Sequence, residues 1–182
     1  MRRSGAGEER LQEQNKLARF ERAVLPHLDA AYNLARWLVR NDADAEDLAQ
    51  EAVLRAFKFF GGFHGGDGRA WLLTIVRNTC YTWLQQNRAH EPVTPFDEEV
   101  HSAQGANPET ILLEGADRQA LKQALEELPA EFREAVILRE LEGLSYKEIA
   151  NIAGVPVGTV MSRLARARKR LQLRLTARRE EA

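Results

Sequence analysis

The chain has 182 residues, room for one ordinary domain or two small ones, with 44% apolar residues, 29% charged residues and a formal net charge of −1. A near-neutral chain is no polycation, so nucleic-acid binding would have to come from local segregation of charge. The single cysteine, Cys80, excludes an internal disulfide and a zinc site built on cysteines, and no apolar run approaches the length of a membrane span.

Residues 1–16 are polar, lack the apolar core of a secretory signal, and read as a disordered N-terminus. From Leu17 the pattern turns helical. Phe20, Val24, Leu28, Ala31, Leu34, Ala35 and Leu38 recur at spacings of three and four, and Pro26 marks a helix start or a kink. Asn41 and Asp42 break this stretch. Asp44, with Asp47 three residues on, is the expected N-cap of a helix through DAEDLAQEAVLRAF.

GGFHGGDG, from Gly61 to Gly68, is a loop, since five of its eight residues are glycine. RAWLLTIVRNTCYTWLQQNR then reads as one long helix, with Trp71, Ile75, Asn78 or Thr79, and Thr82 or Trp83 near one face. The plain reading of Trp71 and Ile75 is core packing, and Tyr81 and Trp83 divide evenly between core and function. The stretch from Ala89 to Thr110 carries three prolines and several acids without apolar periodicity, and reads as a linker. Three helical stretches follow. The first is ETILLEGADRQALKQALEEL. The second starts at Pro129 and ends at Gly143. The third, opened by a Ser145–Glu148 capping box, runs to about Ala153. A last helix is expected from about Val157 to Leu175. No strand pattern occurs. The expectation is an all-α chain of two small helical domains, 17–88 and 111–178, joined by a flexible linker at 89–110, with a helix-turn-helix in the second.

That helix-turn-helix has a physical basis. Gly154 can supply the positive φ of the turn, and Pro156 stops the first helix. Ile149, Ile152 and Val155 can pack against Val160 and Leu164, with Ala150 small where the helices approach. Val160, Leu164, Ala167 and Leu171 form the inward stripe of the second helix. Thr159, Ser162, Arg163, Arg166 and Arg170 lie on or near the outward side. Arginine there can pair with guanine in the major groove, while serine and threonine bond bases or phosphates. Arg168, Lys169, Arg174, Arg178 and Arg179 suit phosphates or plain solvent. A basic helix alone is more often a solvated face. A membrane-surface helix is the other alternative, but it lacks large aromatics and its apolar stripe is needed by the preceding helix.

A repressor would account for the second half but not for the first. Four blocks, DAEDLAQEAVLRAF, RAWLLTIVRNTCYTWL, LPAEFREAVILRELEGLSYKEIA and GVPVGTVMSRLARARKRL, together resemble the sigma-70 family of bacterial initiation factors, in its compact extracytoplasmic-function (ECF) group. The resemblance covers nearly all of the chain from Arg22 to about Leu175.

It implies a bacterial, cytoplasmic factor that binds core RNA polymerase and reads the −10 and −35 elements of promoter DNA. The helix Asp44 to Phe57 would dock on the clamp helices of the largest polymerase subunit through Asp44, Asp47, Gln50, Glu51 and Leu54. Solvated acids are the plainer reading of that face. Phe63, His64, Asp67 and Arg69 in the loop, with Arg77, Asn78 and Tyr81 on the helix, would open and read the −10 strand. Thr159, Ser162, Arg163, Arg166, Lys169 and Arg170 would read −35 duplex. Met161 departs from the family, where many members carry lysine or arginine, and the loop is richer in glycine than usual. Glu91, Asp97, Glu98 and Glu99 of the linker would imitate a phosphate backbone in the polymerase channel, or serve only as a polar tether. An anti-sigma factor is an expected partner.

The work implied is binding, with no cofactor. No nucleophile–base set, phosphate loop or metal spacing occurs, and His27, His64, His90 and His101 are scattered. Two rivals stay open: a stand-alone dimeric helix-turn-helix regulator, and a sigma look-alike that titrates an inhibitor.

Overall fold

The computed structural model describes residues 5–87 and 118–181, with side chains from 10 to 87 and from 118 to 176. The described residues form eight α-helices and no strand: α1 (Gly5–Val24), α2 (Leu28–Val39), α3 (Asp42–Phe59), α4 (Gly68–Gln86), α5 (Arg118–Glu126), α6 (Ala130–Val136), α7 (Tyr146–Ala153) and α8 (Val157–Glu181). A π-helical turn over Ile137–Leu141 extends α6. The linker expected at 89–110, with Glu91, Asp97, Glu98 and Glu99, lies outside the described residues, as do His90 and His101.

Local sequence explains most boundaries. Leu25–His27, with Pro26, forms a 3-10 turn that separates α1 from α2. Arg40 ends α2 in the left-handed region at φ 60°, its N–H donating to the Arg36 carbonyl. Asn41, not Asp44, caps α3: its side-chain oxygen accepts from the Asp44 N–H at 3.0 Å. The cap therefore sits one residue before the helix, where the extended backbone of Asn41 aims the amide at the free N–H groups of the first turn. Asp67 caps α4, accepting from the N–H groups of Arg69 and Ala70.

The disordered segment expected at 1–16 is instead helical from Gly5 onward. Its Glu, Leu, Gln, Arg and Lys residues favour helix on their own, and Phe20 and Val24 fasten the C-terminal end of α1 in the core. The last helix also runs past Leu175, to Glu181.

The front half is a bundle in which α2, α3 and α4 pack mutually. Leu34, Leu38, Leu48, Leu72, Leu73 and Val76 fill it, and Ala31, Ala35, Ala45, Ala52 and Ala56 let the helices approach closely. Each fully buried leucine or valine contributes roughly 1.5–3 kcal/mol. One expectation about a face is corrected. Leu28 is exposed, because the 3-10 turn rotates the start of α2 away from the α1 register. On α4 the buried residues are Gly68, Leu72, Leu73, Val76, Thr79 and Cys80. Trp71, Ile75, Tyr81 and Trp83 flank that stripe, partly buried against it.

In the rear half α8 packs on α5, α6 and α7. The halves also meet: α2 packs on α6 and α4 on α7, so one continuous apolar cluster runs through both. Arg133 is buried at this meeting. Its guanidinium donates to the Glu126 and Leu128 carbonyls, each at 2.8 Å, and across the boundary to the Leu38 carbonyl at 3.1 Å. No helix among the described residues is long and apolar enough to cross a membrane.

Candidate nucleic-acid and partner interfaces

The rear half presents the helix-turn-helix. Ser145 and Glu148 form a complete capping box: the Ser145 hydroxyl accepts from the Glu148 N–H at 3.3 Å, and the Glu148 carboxylate accepts from the Ser145 N–H at 2.7 Å. Hydrogen bonding from the Ser145 side chain first, and from its backbone N–H second, holds the Glu148 carboxyl below its ordinary pKa. Gly154 ends α7 at φ 66°, and the Val155 N–H closes the turn on the Ala150 carbonyl. Pro156 then offers its carbonyl to the N–H groups of Thr159 and Val160, which starts α8.

Val160, Leu164, Ala167 and Leu171 are buried, together with Ile149, Ile152 and Ala150 of α7. The opposite side exposes Met161, Ser162, Arg166, Lys169 and Arg170, with Thr159 and Arg163 half-buried at its edges. The Ser162 hydroxyl donates to the Thr159 carbonyl at 3.0 Å. The described basic residues of α8 differ in their surroundings. Arg168 pairs with Glu140 at 2.8 Å, Arg174 with Glu127 at 3.2 Å, and the Arg170 guanidinium lies over the Phe132 ring at 5.2 Å. Arg168 and Arg174 are thus paired within the rear half, while Arg170 rests on the Phe132 ring and stays exposed. Ser162, Arg166 and Lys169 face outward on the N-terminal and middle turns, the part of such a helix that enters a groove.

The glycine loop and α4 form the second surface. Gly65 and Gly66 adopt φ of 97° and 101°, a conformation other residues rarely take. Phe63 is not a free loop aromatic. It stacks on Phe60 at 5.4 Å and lies 4.9 Å from Trp71, anchoring the loop to the core. The Asp67 carboxylate is engaged as the α4 cap. His64 and Asn78 are exposed.

Arg69, Arg77 and Tyr81 point to the rear half. Arg69 pairs with Glu142. Arg77 Nε lies 2.5 Å from Glu134 Oε1, the Tyr81 hydroxyl donates to Glu134 Oε2 at 3.2 Å, and the Arg77 guanidinium sits 4.4 Å over the Tyr81 ring. Burial raises the Glu134 carboxyl above its ordinary pKa, against the opposing pull of Arg77. Burial first, and Glu134 second, raise the Tyr81 phenol and push the Cys80 thiol up to about 12. A thiol at that level carries almost no thiolate near neutrality and is a poor nucleophile.

The third surface is the outer face of α3. Asp47, Gln50, Glu51 and Leu54 are exposed and Asp44 is half-buried. Glu51 pairs with Arg55 at 2.5 Å, and Gln50 donates to Glu46 at 3.4 Å. Leu54 is 70% exposed, too much for a core residue. It stands beside an open apolar groove that also takes in Leu28, Tyr32 and Val53, with Asp29 and Glu46 at its rim. Sequence periodicity did not single out Leu28, Tyr32 or Val53 for this surface. It also missed Glu134 and Glu142. The signal for Glu134 was there: a charge inside the apolar run FREAVIL.

Comparison with known proteins places the chain in a family. Residues 23–90 match the family model for sigma-70 region 2, and residues 118–171 that for sigma-70 region 4. The chain is 38% identical over 164 residues to ECF RNA polymerase sigma factor SigE of Mycolicibacterium smegmatis, covering 88% of this chain but only 63% of that protein's length. It is 35% identical to the RNA polymerase sigma-H factor of Pseudomonas aeruginosa, covering 88% of each. Among solved structures it resembles the sigma factor RpoE from Bartonella quintana, crystallised with the anti-sigma factor NepR. The TM-score is 0.67 at 34% identity, over 86% of this chain and 96% of that one. CnrH, in complex with the cytosolic domain of CnrY, shares the fold with a TM-score of 0.56 at 22% identity, over 87% and 88% of the two chains.

Proposed function

The chain belongs to the ECF group of the sigma-70 family, and from that membership we propose that it is a bacterial transcription initiation factor that binds core RNA polymerase and directs it to promoters. The observation that carries this reading is the outward face of α8. Its Ser162, Arg166 and Lys169 are exposed, while the stripe behind them is buried against a capped α7. Only a helix fixed in this way can present its side chains to base edges in register.

The mechanism follows from the three surfaces. The α3 face docks first, with Leu54 as the apolar anchor and Asp44, Asp47, Gln50 and Glu51 around it, on the clamp helices of the largest polymerase subunit. Ser162, Arg163 and Arg166 then read −35 duplex, while Thr159, Lys169 and Arg170 hold phosphates. Met161, exposed on the same face, offers an apolar contact where a cation would bind phosphate. The glycine loop, Arg69, Arg77, Asn78 and Tyr81 take up the unwound −10 strand by stacking and charge. His64 joins them from the loop, while Phe63 and Asp67 act by fixing the loop and the start of α4. The work is binding throughout. An anti-sigma factor is proposed as the regulatory partner, in keeping with the RpoE–NepR likeness.

The deciding experiment is run-off transcription with purified core polymerase and pooled genomic promoter fragments, with and without this chain. Specific starts that need both components are expected. No start, together with a shift of duplex DNA by the chain alone, would make it a stand-alone regulator.

A further inference from the structure

Two large apolar side chains are exposed on the first two turns of α8, the part of such a helix that enters a major groove. Val157 is 41% exposed and Met161 54% exposed. The stripe that holds α8 in place lies on another side, at Val160, Leu164, Ala167 and Leu171. Val157, Met161 and Ala165 follow one another at i, i+4 and i+8, so they share one side of the helix, and all three are open. Gly158 stands next to them without a side chain, and nothing lies within 4 Å of where a Cβ would be. The helix can therefore come close to a groove floor at this turn. Ser162, Arg166 and Lys169 border the strip and are exposed as well.

We propose that Met161 is a specificity-determining residue of the −35 reading head: it packs on the C5 methyl of a thymine in the −35 element, with Val157 and Ala165 closing the contact against water. The proposal rests on the assignment of α8 to −35 duplex.

The chemistry of the groove selects thymine. Every base pair shows the major groove hydrogen-bonding groups, and thymine adds an apolar one, its C5 methyl. A thioether side chain laid on the polar edge of guanine, cytosine or adenine desolvates donors and acceptors without replacing their bonds. Laid on a thymine methyl, it buries apolar surface on both sides. Methionine suits this contact because its unbranched chain adjusts to where the methyl falls. A protein partner fits the strip less well, since three side chains bordered by Arg166 and Lys169 make a narrow apolar surface. Leu173, also exposed, lies about three turns further on and does not widen it.

The test uses holoenzyme assembled from purified core polymerase and the full chain, on genomic promoter fragments that give specific starts. Each thymine of the −35 element is replaced in turn by deoxyuridine, which removes the C5 methyl and keeps every hydrogen-bonding group. Affinity is read by competition at fixed salt. The expected result is a thymine at which deoxyuridine weakens binding about threefold to fourfold, the contribution of one buried methyl. Met161→Lys should bind the two duplexes equally, with a salt dependence steeper by about one counterion. Met161→Leu keeps an apolar group of similar volume and should keep the preference. Lys169→Ala, which removes a cation and no apolar contact, should weaken binding to both duplexes alike.

A −35 element without thymine, or one whose thymines are all indifferent to loss of the methyl, overturns the contact and leaves the initiation function standing. A preference that survives in Met161→Lys gives the methyl to another side chain and overturns the role of Met161. No specific start from any fragment overturns the assignment on which the proposal rests, and the proposal with it.

Discussion

Gly68, the first residue of α4, lies against the backbone carbonyl of Ala23 near the end of α1, so closely that a Cβ at Gly68 would fall on that oxygen. The obstacle is backbone rather than a movable side chain, so α1 or α4 must shift to admit even a methyl group. Gly68→Ala is expected to destabilise the chain by roughly 1–3 kcal/mol, the usual cost of overpacking. Thermal unfolding followed by circular dichroism checks this, and Gly61→Ala is the control, since nothing lies within 4 Å of a Cβ there.

Leu54→Asp should leave folding intact and weaken binding to core polymerase about tenfold or more, since burying one leucine at an interface contributes roughly 1.5–3 kcal/mol. Leu54 is 70% exposed, so its replacement removes little from the fold. Equilibrium binding to purified core enzyme measures it. Unchanged affinity would move the docking surface away from α3.

Arg166→Glu should abolish recognition of −35 duplex while sparing polymerase binding. A bidentate arginine–guanine pair contributes about 1–3 kcal/mol, and the reversed charge adds repulsion from phosphate. Arg166 is exposed, so the variant should melt like the parent. Loss of polymerase binding with promoter binding retained would reverse the roles of the two halves.

Ser145→Ala removes the hydroxyl that caps α7 and should cost about 1 kcal/mol near neutral pH. The Glu148 carboxyl, held low by its bonds to Ser145, adds a pH signature. A depressed carboxyl stabilises the fold above the ordinary carboxylate range and loses that contribution as pH falls through its folded value. The gap in melting temperature between parent and variant should therefore narrow on acidification. Melts in matched buffers above and below that range would show it, and a constant gap would sink the idea.

Much of the rear half was legible because its signals are local. A capping box needs four consecutive residues, a glycine turn needs one, and Val160, Leu164, Ala167 and Leu171 declare their face by spacing alone; all of these stand in the structure as read. The all-α class was equally plain. Less legible was the cap of α3. Asp44 and Asn41 are both good caps by type, and only backbone geometry selects Asn41. The helicity of residues 5–16 was hidden from apolar periodicity, because this segment is helical with little of it.

By itself, then, the sequence determined the all-α class, the turn of the helix-turn-helix and the outward cations of α8, because hydrogen-bond caps, glycine φ and helical period act within a few residues. Which of those cations are engaged and which are open was decided only by tertiary structure. Arg168, Arg170 and Arg174 look like Arg166 in the sequence, but Glu140, Phe132 and Glu127 come to them from other elements. The same holds for Arg69 and Tyr81: their carboxylate partners lie 73 and 53 residues away along the chain, and no local rule links them. Distant charges meet only after the apolar faces of α2, α4, α6 and α7 have been buried, and that burial, not the charges, sets which acid reaches which arginine.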